Sequence, residues 1–290
     1  MASVFDFLMP HYLLDYDDFK DSFESDDEYY KIVKDKVAPF ILRRRKEDVL
    51  KDLPEKYEVI ITTEMSVEQR KLYDAYRLKA KEELKSGEGS KVMEVLSIIT
   101  RLRQICVDPS TFVENFEGES GKITMLKEII SDRMKDGHRF LIFSQFVSAL
   151  NIVKEEIEKM GIKYFMITGD TSAKERLRIC NDFNQDEEYK IVLISLKAGG
   201  TGLNLVGADV VIHLDPWWNY SAQNQASDRA HRIGQTRTVE VIKLIAENSI
   251  EERVVNLQNE KKELVDKVIS NDDSSIKGLS IKDLKSILNM

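Results

Sequence analysis

The sequence predicts an α/β fold in which helices cover both faces of a parallel sheet. Between residues 121 and 247, short apolar runs alternate with segments of helical period, which is the pattern of successive strand–helix–strand units. The apolar runs are rich in valine, isoleucine and leucine, as strands buried on both faces are. No apolar run approaches the roughly 18 residues that a membrane-spanning helix needs, so no such helix is predicted.

The amino-terminal part of the chain is predicted to be mainly helical. It contains one strand-like run, over 57–63. Ser66 and Gln69 have the spacing of a capping box, which opens a helix that continues to about residue 85. A second helix is predicted over about 90–106 and is followed by a polar loop.

From residue 121 onward the predicted elements alternate. The predicted helices span 122–136, 146–160, 172–184 and 220–231, and the predicted strands span 139–143, 163–167, 190–195, 209–214 and 238–245. Residues 172–175 (SAKE) fit a second capping box. Ser249 begins a final helix of about twenty residues, because Ile250, Val254 and Leu257 start an apolar stripe at helical spacing.

Two arginines and a glutamine recur at helical spacing in the segment QASDRAHRIGQ, residues 225–235. Gln225, Arg229 and Arg232 lie at i, i+4 and i+7, which would place them on one face of a helix. Guanidinium groups offer planar, forked donors to phosphate oxygens, so the pattern favours a nucleotide-phosphate site. The alternatives are a solvated charged face and, for Gln225, a surface or capping amide.

A glycine-rich loop follows the predicted strand 190–195. Its sequence, LKAGGTGLN, places glycines at 199, 200 and 202. Glycines allow a backbone to approach a phosphate or a nucleic-acid strand closely, but a structural turn uses them as well.

These segments together resemble a known family. The AGGTGLNL loop, the HLDPWWN strand end and the QASDRAHRIGQ helix, in this order, resemble motifs V and VI of the SWI/SNF-type ATPases, which are double-stranded-DNA translocases of helicase superfamily two. Residues 139–146 (RFLIFSQF) resemble motif IV, and residues 39–50 (PFILRRRKEDVL) with Leu53 and Pro54 resemble the linker between the two motor lobes. The resemblance covers nearly the whole chain.

The resemblance implies a domain organisation. Residues 1–120 would be an inter-lobe linker and helical protrusion, 121–248 the second RecA-like lobe, and 249–290 a C-terminal bracing helix with a tail. The first lobe would carry the Walker A lysine and the carboxylates that hold Mg²⁺. Residues 118–122 (GESGK) fail the Walker A spacing, and Asp26–Glu28 follows no apolar strand. The chain is therefore expected to be a second lobe, with ATP and Mg²⁺ bound mainly by the first.

The resemblance also implies roles for individual residues. Catalytic roles fall to Arg229, Arg232 and Gln225, nucleotide binding to Gly200, Gly202 and Asn204, and DNA binding to Ser144, Gln145, Thr168, Gly169, Lys197, Gly199 and Trp218. For Ser144 the alternative is a helix cap, and for Trp218 a core position. Asp215 is expected to be structural. The basic run Arg43–Lys46 is expected to be an inter-lobe element, with a solvated linker as its alternative.

The resemblance further implies partners and a location. The partners would be double-stranded DNA, the first lobe and, as a further candidate, a DNA-bound protein target. The location would be inside the cell, in the cytoplasm or nucleoid of a bacterium or in the nucleus of a eukaryote. Alternative functions are a strand-separating helicase and a non-catalytic module that binds DNA or protein.

Charge and cysteine content add little to this assignment. The net charge of −8 comes from residues 1–30, which hold nine acids and one base, while the remainder of the chain is balanced. Global charge therefore neither supports nor excludes nucleic acid. Cys106, Cys180 and four scattered histidines have no metal-ligand spacing, so no structural metal is expected.

We expect this chain by itself to hydrolyse essentially no ATP, with or without duplex DNA. The reason is that it contains neither the Walker A lysine nor the Asp–Glu pair that hold and polarise the phosphates. Steady-state phosphate release at saturating ATP measures this, and turnover stimulated by DNA would contradict the second-lobe interpretation.

Overall fold

The computed structural model describes residues 2–10, 12–13, 35–40, 53–85, 92–199 and 202–268. The chain divides into two compact units, Met1–Lys51 and Asp52–Met290. In the first unit, helix α1 spans Ala2–Leu8, a 3₁₀ turn spans Ala38–Phe40, and a small apolar cluster forms around Phe5, Leu13 and Val37. The predicted inter-lobe element Arg43–Lys46 lies outside the described residues.

The described part of the second unit contains a six-stranded parallel sheet, which confirms the predicted fold class. Its strands are β1 (Lys56–Thr63), β2 (Phe140–Ser144), β3 (Lys163–Ile167), β4 (Tyr189–Ser195), β5 (Val210–His213) and β6 (Val239–Ala246). Their order across the sheet is β1-β6-β5-β2-β4-β3. Strand β1 comes from the region that the sequence assigned to linker and protrusion, and it pairs with β6 along its full length.

The remaining helices connect and cover these strands. They are α2 (Val67–Lys85), α3 (Val92–Val107), α4 (Gly121–Lys135), α5 (Val147–Lys159), α6 (Ala173–Gln185), α7 (Leu196–Gly199), α8 (Tyr220–Ser227) and α9 (Ile250–Val268). Among the described helices, none combines the length and the apolar character needed to cross a membrane.

Apolar side chains alternate between the two faces of the sheet. On β2, Phe140 and Ile142 join one core cluster, whereas Leu141 and Phe143 join the cluster on the opposite face. This alternation is the period-two pattern of a strand buried on both sides. The predicted covering of both sheet faces is therefore confirmed.

Both predicted capping boxes place a serine where it accepts from the first helical turn. The Ser66 hydroxyl accepts from the Gln69 amide at 3.2 Å, and the Gln69 side chain accepts in return from the Ser66 amide at 3.3 Å. Ser172 caps α6 by accepting from the Glu175 amide at 3.2 Å. Helices α2 and α3 then pack together as a hairpin around Tyr73 and Leu102.

The predicted helix 220–231 is wrong beyond Ser227. The Arg229 and Ala230 amides donate to the carbonyls three residues earlier, Ala226 and Ser227, which tightens the turn. The Arg229 carbonyl then accepts from the Leu205 amide at 3.0 Å, a residue far away in sequence. The helix ends because its last backbone groups find tertiary partners instead of helical ones.

Helix α9 is attached to the sheet by a buried ion pair. The Lys122 ammonium lies 2.6 Å and 2.8 Å from the two carboxylate oxygens of Glu251, and it also donates to the Leu214 carbonyl at 2.7 Å. Glu251 in addition accepts from the Ala246 amide at 2.9 Å. Burial raises the pKa of the Glu251 carboxyl, and the Lys122 charge opposes that rise.

We expect Lys122→Met to lower the free energy of unfolding by about 3–5 kcal/mol, because it leaves the Glu251 carboxylate buried and unpaired. Adding Glu251→Gln should recover part of this loss, since the neutral amide still accepts from Ala246. Lys127→Met, which breaks an exposed pair with Glu156, is the control and should cost less than about 1 kcal/mol. Denaturant titration measures all three. A loss at Lys122 no larger than the control's would contradict the structural role of the pair.

Candidate functional site

The predicted phosphate-binding arginines lie in a tight turn that is fixed against the glycine-rich segment. We call residues 228–232 the arginine turn and residues 196–205 the glycine loop. The Arg229 Nε donates to the Gly199 carbonyl at 2.9 Å, and the Arg232 Nη1 donates to the Leu203 carbonyl at 3.2 Å. Two side-chain contacts, together with the Leu205–Arg229 backbone bond, therefore join the two segments.

The premise that all three candidate residues share one helical face is wrong. Gln225 is exposed on the last turn of α8, whereas Arg229 lies beyond the helix and is only 2% exposed. Arg232 is half-buried. Burial, and after it the neighbouring charge of Arg232, lowers the pKa of the Arg229 guanidinium. Tertiary contacts, not helical period, bring the arginines together.

Gln235, for which the sequence predicts no role, fixes the far end of the arginine turn. Its buried Nε2 lies within hydrogen-bond distance of the Val206, Ala208 and Ala230 carbonyls, at 2.8–3.1 Å. Its Oε1 accepts from the amides of residues 236 and 237 at 2.9 Å. The sequence feature that could have indicated this role is the residue type, because a glutamine side chain can bond backbone carbonyls and backbone amides at the same time.

The glycine loop is only partly described. Gly200 lies outside the described residues. Gly199 is buried, and a Cβ at this position would lie 2.9 Å from the Phe143 ring, so close packing requires the glycine. Gly202, with φ of +36°, and Asn204 are exposed, as is Lys197 on α7.

A second group of predicted residues lies where β2 and β5 end. Asp215 is buried there and accepts from the Ser144 hydroxyl at 2.5 Å and from the Gln145 Nε2 at 2.6 Å. The Ser144 oxygen also accepts from the Phe146 amide at 3.1 Å, but Phe146 is itself the N-cap residue of α5 and that helix has no side-chain cap, so the capping alternative is wrong. In the described chain, Ser144 and Gln145 therefore hold Asp215 and do not point outward as free donors.

Arg103, for which the sequence predicts no functional role, completes this second group. Its Nη1 donates to the Gln145 Oε1 at 2.8 Å, its Nη2 donates to the Pro216 carbonyl at 2.5 Å, and Nη2 also lies 3.7 Å from Asp215. Its guanidinium lies over the Trp218 ring, 5.2 Å from the centroid, so Trp218 is half-buried against it. The sequence feature that could have indicated this buried position is the place of Arg103 between Leu102 and the apolar residues 105–107 of α3.

Thr168 and Gly169 follow β3, and their backbone groups already have partners. The Thr168 amide donates to the Thr171 hydroxyl at 3.0 Å, while the Thr168 and Gly169 carbonyls accept from Arg176 at 3.0 Å and 3.2 Å. Gly169 itself is exposed, with open space where a Cβ would stand. Its contribution to any DNA contact would therefore be close backbone approach.

The described residues contain no group of three or more histidine, cysteine, aspartate or glutamate side chains that could hold a metal ion. The donors at the arginine turn are cationic or amide groups, which suit phosphate oxygens and not a cation.

Two known families match successive parts of the chain. The family described as SNF2-related domain matches residues 1–111, and the helicase conserved C-terminal domain matches residues 121–234. The second match includes both the glycine loop and the arginine turn.

Individual relatives agree with these matches. An uncharacterized ATP-dependent helicase of Mycoplasma genitalium is 41% identical over 97% of this chain and 28% of its own length. The SWI2/SNF2 ATPase core of Sulfolobus solfataricus in complex with double-stranded DNA is 33% identical, with a TM-score of 0.68, over 99% of this chain and 63% of that one. The C-terminal domain of the Sulfolobus ATPase is 31% identical, with a TM-score of 0.64, over 80% of this chain and 98% of that one. The chain spans about a third or less of the length of the curated relatives it matches first.

Proposed function

This chain belongs to the SNF2-related family of ATP-dependent, helicase-like ATPases, and on that premise we propose that it is the second motor lobe of a double-stranded-DNA translocase. The observation that carries the proposal is the fixed contact between the arginine turn and the glycine loop. Such a contact holds two guanidiniums beside a loop whose backbone can approach a phosphate.

The two arginines have different roles in this proposal. Arg232 is half-buried and, among the described residues, engages one carbonyl through Nη1 alone, so it is the candidate to touch the γ-phosphoryl group. Arg229 is buried against Gly199 and would set the loop while adding positive charge behind it. Charge that spreads over the transferred phosphoryl oxygens is then stabilised by groups that need no rearrangement. Gln225, which is exposed on the last turn of α8, is the third candidate.

The nucleotide contacts of this chain would be to phosphate and not to metal. Gly202 and Asn204, exposed on the glycine loop, are candidates to border the nucleotide, together with Gly200. The family resemblance implies that Mg²⁺ would be held mainly by the first motor lobe. ATP would then lie between the two lobes, with arginines supplied from this side.

The DNA contacts would be made mainly by exposed groups that follow the strands, with Lys197 offering charge and Gly169 close backbone approach. Gly199 is buried and Trp218 is half-buried, so these two candidates would shape the surface beside those contacts. Ser144, Gln145 and Thr168 would act as supports, since their donors are committed within the chain. The Sulfolobus relative was solved with double-stranded DNA, which favours duplex DNA as the partner. A DNA-bound protein would be the load that such a motor displaces.

We expect Arg232→Ala, in a protein that carries this chain together with a first motor lobe, to lower the kcat of DNA-stimulated ATP hydrolysis by about 10²–10⁴-fold. Arg232→Lys should restore little, because an ammonium cannot reproduce the planar fork. Duplex affinity and Tm should stay near those of the parent protein. Arg229→Ala should lower both kcat and Tm, since its guanidinium is buried and hydrogen-bonded.

The control for these variants is Arg178→Ala, which removes an exposed guanidinium that pairs with Glu175 and Asp182 on α6. It should leave kcat unchanged. Turnover of Arg232→Ala and Arg229→Ala equal to that of Arg178→Ala would refute the arginine assignment.

We expect the chain to bind duplex DNA weakly, with an affinity that falls steeply as salt rises and does not depend on sequence. Its candidate contacts are to the backbone, and phosphate contacts position a protein without reading bases. Titration of labelled duplexes of unrelated sequence at two salt concentrations tests this. Displacement of one strand from a duplex by the complete protein in the presence of ATP would favour the alternative of a strand-separating helicase.

A further inference from the structure

We propose that His231 and Lys56 are positioning residues that fix the arginine turn to the segment entering strand β1. We call residues 54–56 the entry segment. This inference rests on the proposed function of Arg229 and Arg232, and it adds a second attachment of the arginine turn, independent of the glycine loop.

His231 binds the entry segment from the middle of the arginine turn. Its Nε2 lies 2.7 Å from the Pro54 carbonyl oxygen. Because a carbonyl oxygen can only accept, the imidazole must donate, and Nε2 therefore carries a proton. The ring stands between Arg229 and Arg232 in sequence, so this bond fixes the backbone that carries both guanidiniums.

Lys56 binds the other end of the same turn. Its ammonium donates to the Asn224 Oδ1 at 2.8 Å and lies 3.1 Å from the Asp228 carboxylate. The side chains of Lys56 and Asp228 are 20% and 23% exposed, so the pair is partly shielded from solvent. Asp228 is thus bound by Lys56 at the start of the arginine turn.

The entry segment is itself held by the sheet. The Glu55 carbonyl accepts from the Val239 amide at 2.9 Å, and Lys56 stands opposite Val239 in the parallel register of β1 with β6. Strand β6 is buried along its whole length. The arginine turn is therefore attached on one side to the glycine loop and on the other, through Pro54 and Lys56, to the rigid sheet.

This double attachment has a consequence for catalysis. Arginines act on a transition state only if they are placed correctly before the reaction, and a displacement of about 1 Å can cost up to 10²-fold in rate. Residues 39–50, which together with Leu53 and Pro54 resemble the inter-lobe linker, precede the entry segment in the chain. A shift of the entry segment would move the arginine turn through His231 and Lys56, although neither side chain is proposed to touch the nucleotide.

The test uses a protein that carries this chain together with a first motor lobe. His231→Phe keeps the ring but removes the donor, and Lys56→Met keeps the chain length but removes the charge. Each should lower the kcat of DNA-stimulated hydrolysis by about tenfold or more while the KM for ATP and the duplex affinity stay within about twofold. His231→Gln and Lys56→Arg, which restore a donor at each position, should recover much of the lost kcat.

The decisive measurement combines His231→Phe with Arg232→Ala. If His231 acts by positioning Arg232, the substitution His231→Phe should lower kcat in the parent background and have little further effect on kcat in the Arg232→Ala background. A role in general stability would lower activity in both backgrounds, and this outcome would refute the proposal. Should His231→Phe prevent folding, Lys56→Met combined with Arg232→Ala carries the same test from the other attachment point.

Matched controls separate positioning from the loss of any similar contact. His138→Phe removes a hydrogen-bonded imidazole whose Nδ1 lies 2.9 Å from Asp209, and Lys127→Met removes a partly exposed ion pair with Glu156. Both should leave kcat unchanged. If Arg232→Ala itself leaves kcat unchanged, the proposed function and this inference both fail. If Arg232→Ala lowers kcat but His231→Phe and Lys56→Met behave like the controls, only this inference fails.

Discussion

Two buried ion pairs at the carboxyl ends of the strands hold the second unit together. Asp215 faces Arg103, and Lys122 faces Glu251, with each charge also bound to backbone or side-chain dipoles. Taking these charges out of water costs several kcal/mol each, and this cost is offset only when the geometry is complete. The pairs connect α3, α4 and α9 to strand ends that would otherwise expose polar groups, so the helical layer and the sheet depend on one another.

The arginine turn contains little regular structure, so tertiary contacts hold it in place. Its backbone leaves helical geometry at Ser227, and its position comes from contacts with the glycine loop and with the start of β1. Groups that are held from several sides need little reorganisation when charge develops nearby. A turn fixed in this way suits the proposed site, which would be assembled against the first motor lobe and then released.

The two groups of candidate residues have separate structural settings. Ser144, Gln145 and Trp218 belong to the polar cluster around Asp215 and Arg103, where they support one another. Arg229 and Arg232 belong to the arginine turn and the glycine loop. Helix α8 leads along the chain from Trp218 of the first group to Arg229 of the second, so one short helix links the proposed DNA contacts to the proposed nucleotide contacts.

The sequence by itself determined the parallel α/β fold, the order of its elements, the serine caps of α2 and α6, and the family. Periodicity and caps depend on residues within a few positions of one another, so they can be read locally. Only the tertiary structure decided that β1 joins the sheet, that α8 stops at Ser227, and that Ser144 is buried against Asp215. His231 and Pro54 are 177 residues apart in the chain. The partner of a polar side chain is set by which distant segments the fold brings within hydrogen-bond reach, and no local pattern carries that information.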